Sequence, residues 1–153
     1  MGYRTTKLNL TKNYIAMIHG SVGTRMFQHL YTLSETEAST DIVRSGELSC
    51  AYFVSFILNA HKLIQGPHAT VDSTVKDLLA SGWSSIQKPK IGAVLVWEVK
   101  QESGEPHRHI GFYIGREQAI SNSTSKKVPM RHHWTYNDKR KVEHILWHSL
   151  LEK

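Results

Sequence analysis

The chain contains a single cysteine, Cys50, and ten histidines. A thiol works as a nucleophile only with a base beside it, and imidazole is the side chain suited to take its proton near neutral pH. Cys50 heads the run Cys50-Ala51-Tyr52-Phe53-Val54-Ser55-Phe56-Ile57-Leu58, in which Phe53, Val54, Ile57 and Leu58 recur on one helical face. Ser49 precedes it as a candidate N-cap. A thiol in a first helical turn sits among unpaired backbone N–H groups at the positive end of the helix dipole, which favours the thiolate. Free cysteine also serves as a small buried hydrophobe, so a partner base has to decide between the two roles.

His109 is the candidate base. It opens His109-Ile110-Gly111-Phe112-Tyr113-Ile114, a strand that reverses at Gly115-Arg116-Glu117-Gln118 and returns as Ala119-Ile120-Ser121-Asn122. An imidazole base needs a third polar group to fix its tautomer and orientation. With the turn centred on Arg116 and Glu117, Gly111 is expected to face Asn122, so that Ser121 or Asn122 comes close to His109. Asn122 is favoured because its amide oxygen accepts readily from a ring N–H, and Ser121 remains the alternative.

These residues need a helix and a sheet to bring them together. Tyr14, Ile15, Met17, Ile18, Met26, Phe27, Leu30 and Tyr31 predict one broken helix or two short ones over 12–32, with Gly20 and Gly23 as interruptions. The span 34–45 is polar, with a weak capping pattern at Ser34-Glu35-Thr36-Glu37. After the Cys50 helix, Thr70 or Ser73 caps another helix carrying Val71, Val75, Leu78 and Leu79, which ends at Gly82 before Trp83. Ala93-Val94-Leu95-Val96-Trp97-Glu98-Val99 reads as a strand, 101–106 as a turn, and Val142-Glu143-His144-Ile145-Leu146-Trp147 as a closing strand. Helices first and antiparallel strands second give an α+β fold in one domain spanning 1–153, with its core at about 46–125 and a helical segment over 1–45.

The order of a cysteine opening a helix, then Lys88-Pro89-Lys90-Ile91-Gly92-Ala93-Val94-Leu95-Val96-Trp97, then His109 to Gly115 and Ala119 to Asn122, resembles the papain-like NlpC family of cysteine peptidases and the related CHAP amidases. The resemblance implies a papain-like fold, with N-terminal helices packed on a C-terminal antiparallel sheet. It also implies Cys50 as nucleophile and His109 as base, with an orienter at Ser121, where NlpC-like chains often have histidine, or at Asn122, as in CHAP-like chains. The substrate class it implies is a peptide or cell-wall glycopeptide. The Glu47-Leu48-Ser49 stretch before the thiol departs from the acidic neighbour common in NlpC-like proteins.

The other signals are weaker. Tyr52, beside Cys50, is a candidate pocket residue, as are His132 and Trp134 in the basic aromatic stretch 126–136. No Cys-x-x-Cys or His-Glu-x-x-His spacing accompanies the histidines, so no metal and no cofactor is expected, although His107, His109, His132 and Cys50 could be imagined around zinc. A formal charge of +6 attracts anionic polymers. No nucleic-acid-binding motif accompanies that charge, so nucleic acid is not the expected partner. No run reaches membrane-spanning length, and Met1 to Leu10 lacks a secretory leader. A protein made and kept in the cytoplasm is expected, unless lysis or a dedicated secretion route delivers it to a cell wall. The leading function is a cysteine hydrolase cleaving an amide bond in a peptidoglycan peptide. An acyl or amide transferase using the same pair, or a non-catalytic module binding an anionic polymer, are the alternatives.

Overall fold

The computed structural model describes residues 6–102 and 104–152. The expectation about a leader over Met1 to Leu10 falls in part on residues outside this range, and the expected 101–106 turn includes Ser103, which also lies outside it.

Helix α1, Leu10–Gly20, starts where the Asn9 side chain accepts the Lys12 N–H, and it buries Tyr14 and Ile18. The helix does not resume. Gly23 takes a left-handed φ of 77°, and Phe27 instead plugs into the core edge-on to Tyr52, Phe53 and Phe56. The polar span with its weak capping pattern forms no helix but the turn and second strand of a small exposed hairpin, β1 (Tyr31–Leu33) and β2 (Ser39–Asp41). Helices α2, Cys50–Ala60, and α3, Val71–Ala80, follow. Thr70 caps α3 by accepting the Ser73 N–H. Ser49 stands at the N-cap position of α2 but does not cap it, because its hydroxyl donates to the Phe27 carbonyl. The first N–H groups of α2 are therefore left without a side-chain cap.

The remaining strands are β3 (Ser84–Ser85), β4 (Val94–Glu102), β5 (Glu105–Gly115), β6 (Gln118–Asn122), β7 (Pro129–His133) and β8 (Val142–Trp147). They form one six-stranded antiparallel sheet in the order β3-β8-β4-β5-β6-β7. The fold is α+β, with three α-helices among the described residues. β4 and β5 run longer than expected and shrink the turn between them.

Both faces of the sheet are covered, which explains why Ala93 to Trp97 is apolar without alternation. One face carries Val94, Val96, Ile110, Phe112 and Ile120 into the main core with α1, α2 and α3. Phe53 of α2 meets Phe112 at 5.5 Å between ring centroids. The other face buries Leu95, Trp97 and Ala119 beneath Trp134 and Tyr136 of the β7–β8 connection. Among the described residues no helix is long and apolar enough to cross a membrane.

Candidate active site

The β5–β6 register decides which side chain meets His109. Gly115 pairs with Gln118, but Tyr113 pairs with Ala119 and Gly111 with Ser121, so Ile114 is an extra residue on β5. Without that bulge Gly111 would face Asn122, as the sequence predicts. With it every partner slips by one, and Ser121 rather than Asn122 shares the face of Gly111 and His109. His109 Nε2 accordingly lies 2.9 Å from Ser121 Oγ. Asn122 turns the other way, where its Nδ2 donates to the Gly46 carbonyl at 2.7 Å. The partner of His109 is thus Ser121, not the favoured Asn122.

Gly111 makes the close approach between β5 and β6 possible. A Cβ on it would stand 2.7 Å from both the Ile120 carbonyl oxygen and Ser121 Cβ, and 3.0 Å from the Trp97 ring. The ring of His109 also rests against Trp97, with 5.3 Å between centroids.

Cys50 reaches the site from the opposite side of the sheet. Its sulfur stands at the head of α2, where the backbone N–H groups of Ala51 and of Ile110, the residue after His109, favour its thiolate. The last β5–β6 pair is Gly111 with Ser121, so no β6 residue pairs with His109. Through this gap Cys50 and His109 both line one cavity of about 370 Å³, together with Glu102, Asn122, Thr70 and Arg108. His109, Asn122 and Glu102 also line a larger cavity of about 790 Å³ on the other side, with Ser121, His132, Tyr136, Lys100 and Arg140. His109 sits where the two meet.

Burial governs the protonation of both groups. It pushes the Cys50 thiol up to about 11, outweighing the Ile110 and Ala51 N–H groups, with Glu102 adding to the rise and Arg140 opposing it. Burial likewise pushes His109 down to about 3, and the positive charge of Arg140 and the His132 ring act in the same direction. The helix start therefore does not hold a resting thiolate, contrary to the expectation from the dipole. At neutral pH both groups are uncharged, a thiol and a neutral imidazole lining the same cavity.

Arg140 was not singled out by the sequence, where it lies within the basic run Lys139-Arg140-Lys141. In the structure it is 5% exposed. Its guanidinium donates to Glu102 Oε1 at 2.7 Å, the Glu98 carbonyl at 3.1 Å and the His107 carbonyl at 3.0 Å. It thereby ties the ends of β4 and β5 together two residues before the candidate base. Nothing in residue type distinguishes Arg140 from its neighbours; only the fold turns it inward.

No protein-family model matches this chain, and no curated protein matches it significantly.

The remaining expected site residues separate. Tyr52 packs edge-on to Phe27 and Phe56 and is absent from the lining of both cavities. Two residues along a helix rotate a side chain by about 200°, which carries Tyr52 away from the face of Cys50. Trp134 is also absent from both linings. It covers the sheet, where its carbonyl accepts the Trp97 indole N–H at 2.7 Å and its ring meets Tyr113. His132 does line the larger cavity. It lies behind Ser121, with Nε2 at 2.7 Å from Oγ. Among the described residues, no three or more histidine, cysteine, aspartate or glutamate side chains converge as a metal site.

Proposed function

We propose that the protein is a cysteine hydrolase with a papain-like arrangement, cleaving an amide bond in a cell-wall peptide. The observation that carries this reading is that Cys50 and His109 line one cavity while a buried hydroxyl holds the Nε2 of the imidazole and leaves Nδ1 for the proton. The α2 helix packed on an antiparallel sheet is consistent with that arrangement, and the choice of a cell-wall peptide rests on the resemblance to NlpC and CHAP enzymes.

In the proposed cycle the Cys50 S–H proton passes to His109 Nδ1 as the sulfur attacks the carbonyl carbon, forming a C–S bond and a tetrahedral oxyanion. The uncapped start of α2 supplies donors for that oxygen, since the Cys50 N–H has no intrahelical partner. The imidazolium then protonates the leaving amine as the C–N bond breaks. Water, deprotonated by His109, hydrolyses the thioester and releases the acid, restoring thiol and imidazole. A raised thiol and a depressed imidazole make this a concerted general-base attack rather than the discharge of a preformed ion pair.

The test is release of new amino groups from purified peptidoglycan. The wild type should release them, and both Cys50→Ala and His109→Ala should reduce release to background while remaining folded. The polymer-binding alternative draws on Lys100, Lys127 and Lys139 around the larger cavity. It predicts wall binding that falls steeply with salt, no amine release, and no effect of Cys50→Ala.

A further inference from the structure

The hydrogen-bond partners of Ser121 fix more than the position of His109. Its Oγ has three: His109 Nε2 at 2.9 Å, His132 Nε2 at 2.7 Å and the Tyr136 hydroxyl at 3.1 Å. A hydroxyl offers one proton and two lone pairs, so three partners use it completely.

The directions follow from the far end of the chain of contacts. His132 Nδ1 lies 2.7 Å from the His133 carbonyl oxygen, which can only accept, so Nδ1 carries the proton. The Nε2 of a neutral His132 is then an acceptor and takes the single Ser121 proton. Ser121 has only lone pairs left for its other partners, and both must donate to it. His109 therefore bears its proton on Nε2, leaving the Nδ1 lone pair bare.

We propose that His132 is a positioning residue which, through Ser121, locks His109 in the tautomer able to take a proton at Nδ1. This rests on the reading of Cys50 and His109 as nucleophile and base. Ser121 alone would not suffice, because a serine hydroxyl free to rotate can donate to His109 Nε2 equally well, and that would put the ring proton on Nδ1. The relay also survives the cycle: an imidazolium at His109 still donates from Nε2, so no hydrogen bond has to reverse when the proton arrives.

The surroundings keep the relay in place. His132 and Tyr136 stack with centroids 4.1 Å apart and planes 12° from parallel. Tyr136, Asn137 and Asp138 all take left-handed φ angles of 53–64°, a tight reversal that returns the phenol to Ser121. The Tyr136 hydroxyl is one of two donors, so its loss leaves the His132–Ser121–His109 directions unchanged.

Nitrogen-15 spectra of the histidine side chains in the full chain at pH 7 report each tautomer directly, without any substrate. The wild type should show His109 protonated on Nε2 and His132 on Nδ1. His132→Phe keeps the stacked ring and removes the acceptor, and should shift His109 toward Nδ1 protonation. His132→Gln, whose amide oxygen can take the serine proton, should restore the wild-type pattern, and Tyr136→Phe should leave it untouched. With a wall peptide, His132→Phe should lower kcat about 10- to 100-fold with little change in KM, and the Gln variant should recover most of that. A wild-type His109 protonated on Nδ1, or a tautomer indifferent to His132→Phe, would overturn the relay whether or not the variants lose stability. If the spectra come out as stated but wall-peptide cleavage survives Cys50→Ala, the hydrolase reading fails and the tautomer relay stands.

Discussion

Removing the Arg140 guanidinium should loosen the site from behind. The substitution Arg140→Met keeps the aliphatic stem and deletes three donated hydrogen bonds, one of them to the Glu102 carboxylate at 2.7 Å. Breaking a buried ion pair by removing one partner costs about 3–5 kcal/mol when the stranded charge stays dry. Glu102 is 24% exposed on its side chain and lines both cavities, so water can reach it and the penalty is partly relieved. The Glu98 and His107 carbonyls lose a charged donor, at about 1 kcal/mol each. Together a destabilisation of about 3 kcal/mol is expected, read as a lower urea midpoint with an unchanged slope. The double variant Glu102→Gln/Arg140→Met should be less destabilised than the sum of the two singles, because the stranded charge is gone. His109 should also titrate higher in Arg140→Met, since a positive charge that disfavours its imidazolium has been removed. A loss below about 0.5 kcal/mol, the scatter of ordinary surface substitutions, together with an unmoved His109, would refute the assignment of Arg140 as a buried brace.

Gly111→Ala should displace β6 from β5, because the added methyl meets backbone and Ser121 Cβ at 2.7 Å. Overpacking of this kind costs about 1–3 kcal/mol, and chemical shifts of Ser121 and His109 should move with it; an unperturbed His109 signal would contradict the close approach. Asp77 links acid stability to the 65–68 loop: burial raises its carboxyl, but His68, the Gln65 N–H, Ser81 and the Gly66 N–H together hold it below the usual value. Its contribution is therefore present above the unfolded carboxylate range and lost as pH falls through the lower folded value, so Asp77→Asn should flatten the acid limb of the stability profile. The rate of Cys50 alkylation by iodoacetamide should rise with pH toward a midpoint of about 11, and a plateau below that of an ordinary thiol would show a resting ion pair instead.

How much of this was legible in the sequence depends on whether pattern or register carries the information. The α2 and α3 helices, β4, the β5–β6 hairpin and β8 follow from periodicity and turn residues, and chain order brings Cys50 and His109 to one cavity. The Ser121 contact turned on a single bulged residue, Ile114, which no periodicity announces and which swaps the faces of Ser121 and Asn122. No helix forms near Met26: the chain turns at the left-handed Gly23, and Phe27 fills the aromatic cluster around Tyr52, Phe53 and Phe56. Ser49 had the right type and place for a cap, yet a tertiary acceptor, the Phe27 carbonyl, took its hydroxyl. Arg140 meets β4 and β5 from a segment distant in sequence, and the His132–Ser121 contact depends on the β6–β7 register, so residue type alone could not separate them from a solvated basic stretch.

The central claim is that the Cys50 sulfur forms a thioester during turnover. Intact-mass and peptide-mapping spectrometry of the protein quenched in acid, seconds after mixing with an activated ester of a short wall peptide, reads it directly. An acyl adduct mapping to Cys50 in the wild type, and absent from His109→Ala at equal time, is the predicted result. Hydrolysis of the ester with no mass gained on Cys50, or an adduct that forms equally fast without His109, would contradict it.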